Sequence, residues 1–390
     1  MISLISAENA LKDAYLEAVT NQLNTKTNPI YSKIKQSNAD VYGKSIIKMA
    51  PVGLNGGVGA GSEAGNLPLA NGNTYAQFKT SLKNLYGRIQ ITDKAIRASQ
   101  NSAGAFVDLL NAEMEGLLTA SKFNLGRMLY GDGTGVVGVI SSVSGNTATL
   151  DSVKNIMEGM VIDIYSDTIP AQSGLRVVSV DRANKVVTFS LTLTAEAGNK
   201  LYVQGSKDNE ITGLGAIFGD STTLYGLNRT SNGWLKPYTS TTSQEISDEI
   251  LQTAIDFLEE NSGSNIDLIS CGSGVKRAYI QYLNVYRRAV DVIDLDGFKA
   301  ISCNGVPMVS DRFVEDDTLY ILDSSKFTLH QLCDWTWIEG DGGTVLHQDA
   351  GAPTYSATLV KYADLICDQP NGQAKFTGIK TTITNPFANV

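Results

Sequence analysis

The chain has 390 residues, 42% of them hydrophobic and 18% charged, so it can bury a sizeable core and wholesale disorder is excluded. Its net charge is −9, and no basic patch is interleaved with aromatic residues, which argues against sequence-reading DNA binding. No run approaches the roughly eighteen apolar residues of a membrane span, and the first twenty residues lack the basic start and continuous apolar stretch of a signal peptide.

The N-terminal part is predicted to be a helix followed by a basic arm. Residues Ala7 to Asn24 place Leu11, Ala14, Ala18 and Leu23 on one side of an amphipathic helix. The run from Lys26 to Lys48 is expected to be extended. The first hundred residues carry a net charge of +5, which leaves −14 for the rest. Such asymmetry indicates an arm that lies on an acidic surface, either of nucleic acid or of a neighbouring subunit.

A glycine-rich stretch follows, from Gly53 to Gly72. It contains few large apolar side chains, so it cannot build a core of its own. We therefore expect it to be mobile in an isolated chain. The flanking apolar residues expected to find partners on a neighbouring subunit are Leu54, Val58, Leu67, Leu69 and Phe78.

A short alternating strand, Arg88 to Thr92, leads into one long helix. Apolar side chains recur every three or four residues over Ser102 to Leu129, which predicts a helix about 40 Å long. The stripe consists of Phe106, Leu110, Met114, Leu117, Leu125 and Met128. A helix of this length with one apolar face is expected to act as a strut.

Between Val136 and Ser206 the sequence changes to short alternating runs. The turns include Gly145-Asn146, which suits a two-residue hairpin, and the longer Asp181 to Lys185. Such spacing is typical of a small barrel or sandwich, inserted behind the long helix. The predicted strands are Val136–Val143, Thr147–Leu150, Met160–Tyr165, Leu175–Val180, Val186–Leu191 and Lys200–Val203.

From Thr242 the pattern becomes mixed. A capping box, Thr242 to Glu245, predicts a helix with Ile246, Ile250, Ala254 and Phe257 inward, ended by Asn261 and Gly263. A buried strand, Ile266 to Cys271, a second helix, Val275 to Leu283, and a strand-rich region, Phe298 to Ile338, come next.

Two glycine motifs resemble nucleotide sites but lack the required context. Gly133 to Gly138 satisfies GxGxxG, yet a dinucleotide site needs a strand before the glycines and a helix after them. Here a helix precedes and a strand follows, so a helix terminus and a tight turn are predicted. Gly43-Lys44-Ser45 resembles the end of a P-loop, but Asn38 occupies the place of the first glycine.

The remaining candidate groups do not form a recognisable reactive site. Cys333 and His347 lack an orienting residue and an oxyanion loop, and His330 is expected on the polar face of its strand. Glu113 and Glu115 face different ways on the helix. The group Glu339, Asp341 and Asp349 lacks the ligand pattern of a calcium loop. No catalytic, cofactor-binding or metal-ligating residue is therefore predicted.

The four cysteines show neither CxxC spacing nor histidine neighbours, which argues against a zinc site or a disulfide framework. Cys271, Cys303, Cys333 and Cys367 are expected to be small buried side chains in a reducing cytoplasm. Cys271 and Cys303 could approach each other in neighbouring strands.

Several segments, in this order and spacing, resemble the major capsid proteins of tailed bacteriophages, which share the HK97 fold. The similar segments are ITDKAIRAS at Ile91–Ser99, RMLYGDGTG at Arg127–Gly135, NGVPMVSD at Asn304–Asp311, LYILD at Leu319–Asp323 and ATLVKYADLICDQPNG at Ala357–Gly372. The resemblance spans most of the chain except Val136 to Ser206. It implies an α+β fold in which the long helix is the family's spine helix.

The resemblance also implies a domain organisation. The expected parts are an N-terminal helix and arm (1–45), an E-loop (46–86), a P-domain strand and spine helix (87–135), an inserted β-domain (136–206), a P-domain return (207–240), an A-domain (241–345) and C-terminal strands of the P- and A-domains (346–390).

The implied function is a self-assembling shell of pentamers and hexamers, an icosahedral virion head assembled in the bacterial cytoplasm around double-stranded DNA. Scaffolding, portal and possibly decoration proteins are the implied partners, and no membrane is involved. One branch of the family cross-links a lysine of the E-loop to an asparagine of a neighbour. Lys79 and Lys83 lie near the loop, but no motif fixes the partner residues. The residues before Lys26 are expected to leave no room for a cleavable scaffold, which favours a separate scaffolding protein.

Two alternative functions remain open. An encapsulin, a cellular compartment of the same fold, would hold cargo enzymes instead of DNA. A carboxylate-dependent hydrolase would use an unrecognised acidic pair among the 40 Asp and Glu residues. The glycine-rich region and the helical strut count against the hydrolase, because both features need neighbours.

Overall fold

The computed structural model describes residues 28–53, 55–63, 65–94, 103–286, 292–295, 297–340 and 344–381. The predicted N-terminal helix, Ala7 to Asn24, lies outside these residues. Strands dominate the described chain, and no described helix is long and apolar enough to cross a membrane. The α-helices are α1 (Pro29–Lys33), α2 (Ala103–Tyr130), α3 (Leu214–Ile217), α4 (Asp248–Ser262) and α5 (Ser273–Val285), and short 3-10 turns span Gly233–Leu235, Ser324–Lys326 and Pro370–Gly372.

The strands group into sheets of different sizes. In chain order they are β1 (Lys35–Ser37), β2 (Val41–Tyr42), β3 (Ser45–Val52), β4 (Thr74–Ser81), β5 (Lys83–Thr92), β6 (Val136–Ser144), β7 (Thr147–Leu150), β8 (Val161–Ser166), β9 (Ile169–Asp181), β10 (Val186–Phe189), β11 (Lys200–Val203), β12 (Thr223–Leu224), β13 (Leu227–Asn228), β14 (Tyr238–Ser240), β15 (Leu268–Cys271), β16 (Val292–Leu295), β17 (Phe298–Cys303), β18 (Val306–Ser310), β19 (Leu319–Leu322), β20 (Phe327–Trp337), β21 (His347–Gln348), β22 (Thr354–Cys367) and β23 (Ala374–Phe376).

The long helix α2 packs against a five-stranded sheet. Strand β22 is central: β5 pairs with one side, and β20 and β21 with the other, while β1 adds to β20 in parallel. The inward residues of β5 alternate with exposed ones, as expected for a sheet with one covered face. At Gly87 a β-carbon would lie 2.9 Å from Leu117 Cδ1, so the strand and the helix approach closely here and a larger residue would displace the Leu117 side chain.

Helix α2 confirms the predicted long helix. It begins at Ala103 and ends at Tyr130, one residue later than predicted at each end. Leu125 and Met128 are buried, as the apolar stripe predicts, and Leu117 is half-buried. The side chains of Phe106, Leu110 and Met114 lie outside the described residues. Strand β5 is longer than predicted, because it begins at Lys83 and not at Arg88.

Strands β6 to β11 close into an antiparallel barrel in the order β10-β7-β6-β11-β8-β9. A barrel was one of the two arrangements left open by the sequence, and Gly145-Asn146 forms the hairpin turn between β6 and β7. The barrel has a hydrophobic core of its own, with Ile162, Ile164, Leu175, Val187 and Leu201 fully buried. Closure leaves no unpaired sheet edge, which protects the barrel from strand-to-strand association.

A seven-stranded mixed sheet, in the order β14-β23-β19-β15-β18-β17-β16, packs against α4 and α5. The capping-box prediction for α4 is wrong. The helix begins at Asp248, and the Ser247 hydroxyl caps it by accepting a hydrogen bond from Ile250 N. The residues before Ser247 do not join the helix, because Gln244 forms a parallel β-bridge with Ile379 instead. The predicted end is correct, because Gly263 caps the helix at φ 63°.

The predicted inward face of α4 is only partly correct, since Ile246, just before the helix, is buried and Ala254 packs against the same core. Leu251, Ile255 and Leu258 are its buried residues, whereas Phe257 is 44% exposed. Phe257 packs edge-on against Tyr238, with ring centroids 4.7 Å apart.

The arm is only partly extended, which corrects the prediction for Lys26 to Lys48. Residues Pro29–Lys33 form α1, where Asn28 caps the first turn and a proline occupies its start. Ile30, Tyr31 and Ile34 are buried in the main core. The arm therefore begins by packing against its own subunit and then continues as β1 beside β20.

Candidate functional site

A projecting hairpin is the main candidate for an interaction surface. Strands β3 and β4 pair over eight positions, from Ser45 with Ser81 to Val52 with Thr74. The described residues between the strands have no regular secondary structure. Within this tip Val58, Leu67 and Leu69 are 89%, 89% and 90% exposed. Apolar side chains this exposed on a thin projection are available to a partner.

The root of the hairpin is packed inside the subunit. Phe78 is fully buried, and its ring lies 5.3 Å from that of Tyr225 and 5.7 Å from that of Trp234, centroid to centroid. The expectation that Phe78 would need a neighbouring subunit is therefore wrong. Phe78 lies in the middle of β4, next to the strand that carries the buried Ile46, and both residues belong to the main core. Only the tip remains unpartnered within the described chain.

Polar contacts fix the same root to the five-stranded sheet. The Thr80 hydroxyl donates to Asp364 Oδ2 at 2.6 Å, and Lys48 Nζ lies 2.7 Å from Asp368 Oδ2. Asp364 also accepts hydrogen bonds from the amide and the hydroxyl of Thr212. Burial raises the pKa of the Asp364 carboxyl, although these donors oppose the shift. The hairpin thus projects from a fixed base.

A second exposed apolar group lies where α5 ends and the edge strand β16 begins. Val285, Tyr286 and Val292 are 69%, 63% and 63% exposed. Tyr286 packs on Tyr282 with ring centroids 4.8 Å apart, which orders the end of the helix. An edge strand beside exposed apolar side chains is a second surface that could contact another chain.

Two buried ion pairs join distant parts of the chain, and sequence reasoning missed both. Arg127 of α2 binds Glu210 through both carboxylate oxygens, with Nη1 to Oε2 at 2.9 Å. Lys361 of β22 donates to Asp334 Oδ1 at 2.7 Å and lies 3.4 Å from the Tyr31 hydroxyl of α1. Burial lowers the pKa of Lys361, although Asp334 opposes this. Lys361 between the apolar residues Val360 and Tyr362 was a signal for the second pair, but nothing local marks the first.

The structure separates the residues considered as reactive candidates. His347 Nε2 lies 3.2 Å from the backbone oxygen of Ile338, while Cys333 is on β20. Asp349 accepts hydrogen bonds from Thr354, Ser356, Gln90 and Arg88, and these donors lower the pKa of its carboxyl. Asp349 therefore fixes its own loop, and Asp341 lies outside the described residues.

The other candidates have structural positions. Gly133 and Gly135 have positive φ in the turn between α2 and β6, so GxGxxG marks a helix end as predicted. Glu113 is exposed, and the side chain of Glu115 is outside the described residues. Lys83 Nζ donates to the backbone oxygen of Asp208 at 2.8 Å, and Lys79 is exposed on β4. Among the described residues no cluster of three His, Cys, Asp or Glu side chains could hold a metal ion.

Two expectations about polar side chains in the sheets are wrong. His330 is 1% exposed and does not lie on a polar face, because segment 35–42 covers this part of β20. Strand β18 lies between the strands of Cys271 and Cys303, so these two cysteines are not on neighbouring strands. All four cysteines are free thiols, and burial raises the pKa of Cys271 to about 12.

Comparison with solved structures places this arrangement in a known fold. No protein-family model matches the sequence, and no curated protein does. The chain is similar to the capsid asymmetric unit of cyanophage A-1(L), with 12% identity, a TM-score of 0.55 and coverage of 95% of each chain. At this identity the likeness shows the fold, and it confirms the α+β HK97-like fold implied by the sequence resemblance.

Two further structures are similar at lower scores. The capsid of a native GTA particle has 11% identity and a TM-score of 0.47, with 91% of each chain covered. The SrpI encapsulin of Synechococcus elongatus has 9% identity and a TM-score of 0.44, with 93% of this chain and 91% of that chain covered.

Proposed function

We propose that this chain is the major capsid protein of a tailed bacteriophage, which assembles as pentamers and hexamers into the icosahedral shell that encloses double-stranded DNA. One observation carries the proposal: the fold of the cyanophage capsid subunit extends over 95% of this chain and of that chain. The activity proposed is association, and no catalytic residue is assigned.

The resemblance assigns a role to each part of the molecule. Strands β3 and β4 with their tip would be the E-loop, α2 the spine helix, and the five-stranded sheet the P-domain. The seven-stranded sheet with α4 and α5 would be the A-domain, placed near the fivefold and sixfold axes. The barrel would be an inserted domain, to which no partner is assigned.

The exposed tip supports assembly on physical grounds. Strands β3 and β4 form a small three-stranded sheet with β2, and the exposed apolar residues of the tip stay in water unless a neighbour covers them. Many modest contacts of this kind, repeated around a closed lattice, stabilise a shell that no single contact could hold together. On the resemblance alone, we propose that separate scaffolding, portal and decoration proteins are partners of this chain. We propose on the same basis that it assembles in the host cytoplasm.

Assembly of the purified chain tests the proposal. Light scattering and negative-stain microscopy should show rings or closed shells, with or without a co-expressed scaffolding protein. Replacing both Leu67 and Leu69 with Asp should leave subunits with unchanged circular dichroism that do not assemble. The matched control is Leu191→Asp, since Leu191 is 58% exposed on the barrel and distant in sequence from the tip. A compact monomer that persists at high concentration under all these conditions would contradict the proposal.

The contents of purified shells separate the phage capsid from the encapsulin alternative. Shells isolated from a producing lysate should contain double-stranded DNA protected from nuclease. Shells that contain a protein cargo and no nucleic acid would favour the encapsulin.

A further inference from the structure

The buried His330 lies where three parts of the molecule meet. Strand β1 pairs in parallel with β20, and Ser37 is the register partner of His330. On the other side of β20, Asp364 of β22 is directly opposite. The hairpin root reaches the same place, because Thr80 of β4 donates to Asp364. A change at His330 therefore affects the segment that leads into the projecting hairpin.

The hydrogen bond of His330 defines its tautomer. Nδ1 lies 3.0 Å from the backbone oxygen of Ala39. A carbonyl oxygen can only accept, so Nδ1 carries the hydrogen and the neutral ring leaves Nε2 unprotonated. Nε2 is buried and has no hydrogen-bond partner among the described residues. A second proton on the ring would create a buried N–H donor without an acceptor, next to a new positive charge.

The charged groups around His330 come from each element packed against it. Asp40 belongs to the arm turn, Lys48 to β3, Asp364 to β22, and Asp368 follows β22. Lys48 is paired with Asp368, and Asp364 is occupied by the donors of Thr80 and Thr212. Burial lowers the pKa of His330, and Lys48 adds to this, while the Ala39 contact, Asp40 and Asp368 oppose it.

We propose that His330 is a proton-sensitive latch, which holds segment 35–42 on β20 while its ring is neutral and releases the segment when Nε2 is protonated. The latch is independent of the proposed shell function, since it concerns contacts within one subunit. A neutral ring keeps the arm and the hairpin root together. A protonated ring frees segment 35–42 from β20, while Thr80 and Lys48 still hold the hairpin root on the sheet.

The sign of the pH effect follows from the lowered pKa. A histidine with a folded-state pKa below 6.5 contributes stability above pH 6.5, and this contribution is lost as pH falls from 6.5 through the folded-state pKa. The latch is therefore closed at neutral pH and opens in mild acid.

Amide hydrogen exchange of the full chain tests the latch. Rates for peptides covering residues 35–42 would be measured from about pH 7.5 to about pH 5 and corrected for intrinsic exchange. Protection in the wild type should fall by up to about tenfold per pH unit between pH 6.5 and the folded-state pKa, and should level off below that pKa. His330→Asn keeps an amide donor where Nδ1 was and cannot be protonated, so its protection should not change with pH. Peptides from barrel strand β8 serve as the internal reference.

The chain has only two histidines, which provides the matched control. His347→Asn should behave as the wild type, and NMR of its single remaining imidazole should show protonation over the pH range in which segment 35–42 loses protection. Comparing the protonation of the His330 ring with the loss of protection in His347→Asn tests the latch even if His330→Asn does not fold. The latch is excluded if protection falls equally in His330→Asn, or if the ring becomes protonated without any loss of protection.

Discussion

The two buried ion pairs differ in how far water reaches them. In the Arg127–Glu210 pair the side chains are 3% and 2% exposed, so water reaches neither charge and each is stabilised by its partner. In the Lys361–Asp334 pair the lysine is 0% and the aspartate 31% exposed, so water can solvate only the carboxylate. Removing one partner therefore has different consequences at the two sites.

Replacing Glu210 with Gln should destabilise the subunit strongly. The change leaves the buried Arg127 guanidinium without a counter-charge, which typically costs about 3–5 kcal/mol. Chemical denaturation followed by circular dichroism measures the effect. The control is Glu158→Gln in the Arg182 pair, whose side chains are 54% and 45% exposed, where the expected change is about 0–1 kcal/mol. Equal effects of the two substitutions would show that the buried pair has no special role.

At Lys361 the two single substitutions should differ. Lys361→Met leaves a carboxylate that water can solvate, so we expect a small loss of stability. Asp334→Ala leaves a buried ammonium group and should destabilise the subunit by about 3–5 kcal/mol. Because burial lowers the pKa of Lys361, the stability of Asp334→Ala should rise as pH is increased toward 10.5, the unperturbed lysine value. Denaturation midpoints measured across this pH range check both the asymmetry and its sign.

Among the elements, those with a strong local signal were predicted and those set by distant contacts were not. The apolar repeat of α2 and the turn at Gly145-Asn146 are local, and both were located within a residue. The cap of α4 was misplaced because Gln244 bridges to Ile379, far away in sequence. The buried position of His330 depends on the arm, which lies about three hundred residues earlier and cannot be read from the alternation of β20.

The barrel should fold alone and should be removable. It has its own core, and its ends are adjacent, since Asp208 N donates to Thr134 O at 2.8 Å. Residues 136–206 expressed separately should therefore give the circular dichroism of a folded β protein. A variant in which a short Gly-Ser linker joins Gly135 to Lys207 should still assemble. Failure of the fragment to fold, together with failure of the deletion to assemble, would show that the barrel belongs to the main core.

At the scale of the whole molecule, composition indicated the glycine-rich tip as the candidate interaction surface. It did not indicate which neighbouring residues lie outside that surface. The glycine-rich tip was identified because it has too few apolar residues for a core. Phe78 was wrongly assigned to the same surface, because its burial against Tyr225 and Trp234 depends on contacts more than 140 residues away. The ion pairs of Arg127 and Lys361 were missed because their partners lie 83 and 27 residues away in the sequence.

The tip should be cut readily by protease in free subunits and spared in assembled particles. Each glycine that becomes ordered loses backbone entropy worth roughly 0.5–1 kcal/mol more than alanine does. We therefore expect the free tip to sample many conformations. Burying Val58, Leu67 and Leu69 against a neighbour would contribute roughly 25 cal/mol per Å² of apolar surface, enough together to offset that ordering. The tip contains no lysine or arginine between Gly53 and Asn73, so a protease that cleaves at leucine is required. Cleavage after Leu69 would be followed by mass spectrometry at matched protein and protease concentrations, since Pro68 blocks cleavage after Leu67, with Leu191 on the barrel as the reference site. Equal rates in subunits and particles would refute the role of the tip as a clamp between subunits.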